Sequence, residues 1–177
     1  SDLVLENPDK VWIKTHSDTA TYLHMDLLSN RIARALLQTG LTPGDRVLTM
    51  LPDSIWQIAI WIACAKIGLI EVPVNTAYRG IVLKHLIDDS GTRLVLTTST
   101  FADRFKDLNS ASRIEQFLLV DEEGNDNAPV INGTVAGLPA SPLISRLKDD
   151  SSPLGEKPLE SDIMAIMYTS GTTGGSK

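Results

Sequence analysis

The fold is decided by residues 46–74, which begin with Arg46-Val47-Leu48-Thr49-Met50-Leu51 and end with Leu69-Ile70-Glu71-Val72-Pro73-Val74. Both runs have the length and the aliphatic, β-branched composition of a strand. Between them, Ser54-Ile55-Trp56-Gln57 has the pattern of a capping box, in which the Gln57 side chain reaches back to the Ser54 backbone. The helix that follows is apolar on nearly every side and stops at Gly68, so we expect it deep in the core.

The alternation of strand and helix continues on both sides of this unit. Upstream, two short strands lead to a helix that Thr21 caps, with Arg31 and Arg34 on its solvated side. Such an order, with short connections, is typical of a parallel sheet covered by helices, so we predict an α/β fold with helices on both faces. The predicted ranges are 11–14 and 20–24 (strands), 23–39 (helix), 81–89 (helix), 93–97 (strand), 100–108 (weak helix) and 116–120 (strand).

The chain changes character after residue 120, where Asp, Glu, Asn, Gly, Ser and Pro dominate. We predict three parts of one incomplete domain: an α/β sheet region with an N-terminal strand pair (1–120), a surface excursion (121–160), and a buried strand with its closing loop (161–177). Only a short helix near 141–148 is expected within the excursion.

Composition limits the possible functions of the chain. Its 177 residues are 42% hydrophobic and 21% charged, which is typical of a globular protein, and the net charge of −6 argues against a nucleic-acid partner. The single cysteine, Cys64, excludes an intrachain disulfide and favours a cytoplasmic setting. No signal peptide is evident, and the apolar helix is shorter than the ~20 residues that span a bilayer. The three histidines fall in separate predicted elements, so no metal site is predicted.

The last ten residues are the candidate site: Tyr168-Thr169-Ser170-Gly171-Thr172-Thr173-Gly174-Gly175-Ser176-Lys177. Glycines let backbone N–H groups converge on an anion, hydroxyl groups add donors, and Lys177 adds a positive charge. This chemistry suits a polyphosphate. A flexible linker is the alternative interpretation. The apolar, strand-like residues 163–168 favour the phosphate loop, because a linker has no reason to follow a buried strand.

The common phosphate loop Gly-x-x-x-x-Gly-Lys-[Ser/Thr] fits poorly, because Ser176 stands where its second glycine belongs. The stretch instead resembles the signature Tyr-Thr-Ser-Gly-Thr-Thr-Gly-x-Pro-Lys of the adenylate-forming superfamily, which includes acyl-CoA synthetases, luciferases and peptide-synthetase adenylation domains. Residues 168–174 match in full and Lys177 matches in place, whereas Ser176 replaces the usual proline. Further similar stretches are Thr21-Tyr22, residues 30–36, Gly44-Asp45-Arg46-Val47, Ala65-Lys66-Ile67-Gly68, Val72-Pro73-Val74-Asn75 and Asp89-Ser90-Gly91.

The resemblance implies ATP-dependent activation of a carboxylic acid as an acyl-adenylate, followed by thioester formation with coenzyme A. It also implies site roles. Lys177 is the catalytic cation that stabilises the leaving pyrophosphate. The residues implied to bind nucleotide are Thr169, Ser170, Thr172 and Thr173 as donors and Gly171 and Gly174 as turn residues. Mg²⁺ would bridge the phosphates, with its protein ligand outside this chain.

Several hypotheses remain open at this stage. Within the superfamily, the chain suits an amino-acid-activating adenylation domain or a luciferase-like enzyme as well as an acyl-CoA synthetase. From other classes, a non-catalytic protein that binds nucleotide or a partner, or a Walker-type nucleotide hydrolase, is possible. The family interpretation treats the chain as the N-terminal portion of a longer enzyme. We therefore expect it to be inactive alone and to self-associate through surface that the rest of the enzyme would cover.

Overall fold

The computed structural model describes residues 2–16, 18–107, 112–120, 133–155, 159 and 161–169. Its helices are α1 (Asp2–Glu6), α2 (Tyr22–Leu37), α3 (Ile55–Lys66), α4 (Gly80–Ser90) and α5 (Ser99–Ala102), with 3-10 turns at Asp103–Phe105 and Ile144–Arg146. Its strands are β1 (Val11–Lys14), β2 (Thr19–Thr21), β3 (Arg46–Met50), β4 (Ile70–Pro73), β5 (Leu94–Thr97), β6 (Gln116–Leu119), β7 (Thr134–Val135) and β8 (Leu138–Pro142).

Within these residues the central sheet has six strands in the order β4-β3-β5-β6-β8-β7. The pairings from β4 through β8 are all parallel, and β7 alone is antiparallel to its neighbour. Strands β1 and β2 form a separate antiparallel pair. The predicted α/β class with a mostly parallel sheet is confirmed.

Side chains on the two faces of the sheet belong to two different cores. On β3, Val47 packs with residues of α2 and α3, whereas Leu48 packs with residues of α4 on the opposite face. The same alternation along β6 sends Leu118 to the first core and Phe117 to the second, because successive strand residues point to opposite faces. Phe117 meets Phe105 edge to face, with ring centres 5.3 Å apart. Helices therefore cover both faces, as predicted.

The helix starts follow the predicted caps with one exception. The Thr21 hydroxyl accepts the His24 N–H at 3.1 Å, and the Ser54 hydroxyl accepts the Gln57 N–H at 3.2 Å. The Gln57 side chain does not complete a capping box, because it donates to Glu71 instead.

The prediction that α3 lies deep in the core is wrong, since only one side of this helix is fully buried. Its other apolar residues are half-buried against the first core. In the part of the chain that the structure describes, no helix is long and apolar enough to span a membrane.

The arginines of α2 do not form the solvated face that we predicted. The Arg31 side chain donates to the Lys148 carbonyl at 2.8 Å, and Arg34 donates to the Ser152 carbonyl at 2.8 Å. Arg34 also pairs with Asp150 at 2.9 Å. Both side chains therefore hold residues 148–152 against the helix, a contact between parts of the chain that are far apart in sequence.

Residues 134–142 form strands β7 and β8, so the prediction of only a short helix near 141–148 is wrong. The two strands turn at Ala136 and Gly137, whose φ angles of 52° and 77° suit the turn that joins a tight hairpin. Strand β8 then extends the central sheet beside β6. The predicted helix is reduced to the single 3-10 turn at Ile144–Arg146. The predicted division of the chain at residues 120 and 160 stays a prediction.

Candidate functional site

Only the first residue of the predicted nucleotide-binding set lies within the described residues. Thr169 is exposed, as expected for a donor at the start of a loop. The others, Ser170, Gly171, Thr172, Thr173 and Gly174, lie outside the described residues, as does the predicted catalytic residue Lys177, so their roles stay predictions. The structure does describe the residues that lead into them, 163–169, which we call the loop-bearing segment.

The loop-bearing segment is attached to the edge of the sheet beside β4. The Glu71 N–H donates to the Met164 carbonyl at 3.1 Å, and the Ile166 N–H donates to the Glu71 carbonyl at 2.8 Å. These bonds form a single parallel bridge between Glu71 and Ala165. Ile163 is 63% exposed and Met167 is 67% exposed. The prediction of a buried strand at this position is therefore wrong.

Proline explains why the pairing is limited to one bridge. The backbone N–H groups along β4 point alternately to the two sides of the strand. Those of Ile70 and Val74 donate hydrogen bonds on the side of β3. On the outer side, the Leu69 N–H already donates to the Cys64 carbonyl at 2.9 Å, and Pro73 has no N–H. Glu71 is thus the residue of this edge whose N–H is left to bind the loop-bearing segment.

The Glu71 side chain is fixed as firmly as its backbone. It is 2% exposed, and its Oε1 accepts the Thr49 hydroxyl at 2.6 Å and the Gln57 Nε2 at 2.8 Å. Burial raises the pKa of this carboxyl group, against the opposing effect of the two hydrogen bonds. The buried Oε1 of Gln57 has no partner among the described residues. The sequence did not predict this network, although a charged residue inside an apolar strand was a visible signal.

Tyr168 makes the second attachment of the loop-bearing segment. Its hydroxyl donates to Asp89 Oδ2 at 2.6 Å, and burial together with Asp89 raises the pKa of Tyr168 to about 12. The neighbouring Asp88 pairs with Lys84 instead. The segment is therefore tied to both β4 and α4 directly before the predicted phosphate loop.

A crevice of about 540 Å³ opens beside these attachments, at the carboxyl ends of β3 and β4. Thr49 and Gln57, the two donors to Glu71, both line it. The connection after β3 leads to α3 on one face of the sheet, and the connection after β4 leads to α4 on the other. Ligands of parallel α/β sheets bind where such connections diverge. Within the described residues, no three acidic, histidine or cysteine side chains meet to hold a metal ion.

A parallel sheet with a glycine- and hydroxyl-rich sequence after an edge segment is typical of α/β proteins that bind phosphorylated ligands. The chain belongs to the AMP-binding enzyme family, whose sequence profile matches residues 3–177. This confirms the superfamily that the loop signature indicated.

Individual relatives support the same assignment. The chain is 31% identical over 170 residues to the long-chain-fatty-acid–CoA ligase FadD13 of Mycobacterium tuberculosis, covering 89% of this chain and 28% of that protein. It is 32% identical over 156 residues to the fatty acid–[acyl-carrier-protein] ligase ScoC of Streptomyces coeruleorubidus, covering 88% and 27%. The chain thus spans less than a third of these relatives.

A solved structure shows the same fold. The inhibitor-bound N-terminal domain of FACL13 from Mycobacterium tuberculosis matches with a TM-score of 0.78 at 23% identity, covering 99% of this chain and 41% of that one. The described strands and helices therefore have the arrangement of an N-terminal domain of this family.

Proposed function

We propose that this chain is the N-terminal part of an ATP-dependent acid–thiol ligase. The parent enzyme joins a carboxylic acid to AMP, releases pyrophosphate, and transfers the acyl group to coenzyme A. The observation that carries the proposal is the signature of residues 168–177 within a chain whose family profile matches from residue 3. The ligase names of FadD13 and ScoC agree with it.

In this proposal the loop acts on the outer phosphates of ATP. The hydroxyl and N–H groups of Thr169, Ser170, Thr172 and Thr173 donate to phosphate oxygens, and Gly171 and Gly174 permit the turns. Lys177 stabilises the charge that develops on the leaving pyrophosphate. Mg²⁺ neutralises further phosphate charge when bound. The double attachment of the loop-bearing segment to β4 and α4 supports this role, because a phosphate loop needs a defined starting point.

Variants of the proposal differ in the thiol that accepts the acyl group and in the carboxylic acid that is activated. Coenzyme A is the first choice, and a carrier protein is the second, in line with the name of ScoC. The acid is a fatty acid in the leading version, which places the enzyme in cytoplasmic fatty acid metabolism. An amino-acid-activating adenylation domain is the alternative within the family, and a non-catalytic nucleotide- or partner-binding protein is the alternative outside it.

Exchange of labelled pyrophosphate into ATP tests the proposal. We would compare the 177-residue chain with the protein encoded by its complete reading frame, using panels of fatty acids and amino acids. We expect fatty-acid-dependent exchange by the complete protein and none by the chain alone. Replacing Lys177 by Gln in the complete protein should slow exchange at least tenfold, whereas Lys106→Gln, an exposed control, should not.

Each result decides between the hypotheses. Exchange by the chain alone would show that it is not an inactive portion. Exchange with amino acids only would favour an adenylation domain. ATP binding without exchange by the complete protein would support the non-catalytic alternative. Light scattering of the chain at increasing concentration tests the proposed self-association, and a monomer throughout would contradict it.

A further inference from the structure

The Tyr168 side chain is the last point at which the described structure holds the chain before Thr169. Its hydroxyl donates to Asp89 Oδ2 at 2.6 Å. The last backbone contact lies further back, where the Ile166 N–H donates to β4 at 2.8 Å. The backbone groups of Met167 and Thr169 make no hydrogen bond to any other described residue. The path of the chain into the predicted nucleotide-binding residues therefore depends on how Tyr168 is held.

The Tyr168 ring is held in place together with its hydroxyl group. The ring packs against the second core, on the face of the sheet that α4 covers. Burial, together with Asp89, raises the pKa of Tyr168 from its ordinary 10.0 to about 12. The hydroxyl group therefore keeps its proton at neutral and mildly alkaline pH, so the donor of this hydrogen bond is present throughout that range.

Asp89 occupies a position in α4 that is unfavourable for a carboxylate. It is the tenth of the 11 residues of this helix, whose last turn contains no basic residue. The carbonyl groups at the C-terminal end of a helix carry partial negative charge, so they repel a carboxylate there. The neighbouring Asp88 is compensated by its pairing with Lys84. Asp89 bonds to Tyr168 instead, and this bond is the interaction that compensates for the repulsion.

We propose that Asp89 is a positioning residue of the nucleotide-binding site. By accepting the Tyr168 hydroxyl, it fixes the direction in which the chain leaves the sheet, and with it the position of Thr169, the first of the predicted phosphate donors. Misplacing a binding group by about 1 Å can slow an enzyme by roughly 100-fold. Asp89 acts through Tyr168 and not by contact with the nucleotide. The inference rests on the proposed function, which gives Thr169 its phosphate-binding role.

Pyrophosphate exchange by the complete protein tests this role, with the KM for ATP and the KM for the acid measured separately. The variants Asp89→Ala and Tyr168→Phe each remove the hydrogen bond. Asp89→Asn keeps a neutral acceptor at the same place, so it should restore part of the function. Asp88→Asn is the matched control, because Asp88 is an equally exposed carboxylate on the same helix that does not bond to Tyr168. Circular dichroism verifies that each variant is folded.

We expect Asp89→Ala and Tyr168→Phe each to raise the KM for ATP about three- to tenfold, as for the loss of one hydrogen bond. The KM for the acid should stay at its wild-type value. Asp89→Asn should raise the KM for ATP less than Asp89→Ala does, and Asp88→Asn should leave it unchanged. The double variant that combines Asp89→Ala with Tyr168→Phe should be no worse than either single variant, because both remove the same bond.

Hydrogen exchange of the 177-residue chain gives a second measurement that needs no activity. We expect the amides of residues 165–169 to exchange several-fold faster in Asp89→Ala and in Tyr168→Phe than in the wild-type chain, because one of the few attachments of this segment is lost. The Asp88→Asn chain should exchange like the wild type. Unchanged exchange in both site variants would show that the bond does not hold the segment, and would overturn the inference.

Failure of this inference and failure of the proposed function give different results. If the complete wild-type protein does not exchange pyrophosphate, the proposed function fails, and the role of Asp89 in nucleotide binding fails with it. If the wild type is active and both Asp89→Ala and Tyr168→Phe keep its KM for ATP, only the inference about Asp89 is overturned. Equal increases in the KM for ATP and for the acid would show a general structural effect and would also overturn it. If Asp89→Ala does not fold, Tyr168→Phe decides, because it removes a single oxygen atom.

Discussion

The central strands and the loop-bearing segment are held by different means. Strands β3, β5 and β6 are bonded to a neighbour on both edges and buried on both faces. The segment of residues 163–169 is bonded through one bridge to Glu71 and one side-chain bond to Asp89. Regions with few buried contacts open at low free energy, and ligand-binding loops are drawn from them. The difference indicates a stiff sheet that carries a weakly attached edge segment.

The largest effect should come from the central core. Phe117→Ala removes a fully buried ring that packs on Phe105, so we expect the free energy of unfolding to fall by about 3–5 kcal/mol. Met167→Ala, in the exposed loop-bearing segment, should change it by less than about 0.5 kcal/mol. Urea unfolding measures both. Equal losses would show that the segment is as well packed as the sheet, and the comparison would fail.

An effect of intermediate size on the free energy of unfolding, which depends on pH, is expected at Glu71, where the loop-bearing segment joins the sheet. The ordinary pKa of a glutamate is 4.5, and burial raises that of Glu71 in the folded chain. The folded chain therefore binds this proton more tightly than the unfolded chain does. The stabilisation that this tighter proton binding gives the folded chain is complete below pH 4.5. It is lost as the pH rises through the raised pKa that Glu71 has in the folded chain.

Glu71→Gln removes the titration while keeping the side-chain shape. Relative to this variant, the wild-type chain should lose about 1.4 kcal/mol of stability for each unit by which the folded pKa is raised. Urea unfolding of both chains from pH 4 to pH 8 measures the change. Parallel stability curves would mean that the Glu71 carboxyl group keeps its ordinary pKa.

Pro73→Ala should have only a small effect on global stability. The alanine supplies an N–H on the outer side of β4, so the single bridge can lengthen into a ladder. We expect amide exchange in residues 165–168 to slow several-fold, while the free energy of unfolding changes by less than about 1 kcal/mol. Hydrogen exchange with mass spectrometry measures this, with Pro52→Ala as the control. Unchanged exchange would show that Pro73 does not limit the pairing.

The elements that the sequence predicted are those with a local cause. The apolar runs of β3 to β6 and the caps at Thr21 and Ser54 depend on residues within a few positions of each other. Strands β7 and β8 escaped prediction because two prolines and a polar composition hide them. The pairing of β8 with β6 depends on a partner about twenty residues away.

The sequence by itself determined the α/β class and the family, because side-chain type and local spacing suffice for each. Only the tertiary structure decided that β4 lies at the edge of the sheet and that Glu71 binds the loop-bearing segment there. It also decided that the α2 arginines hold residues 148–152. These features depend on which distant backbone and charged groups meet, and no local pattern encodes a hydrogen bond between residues ninety positions apart.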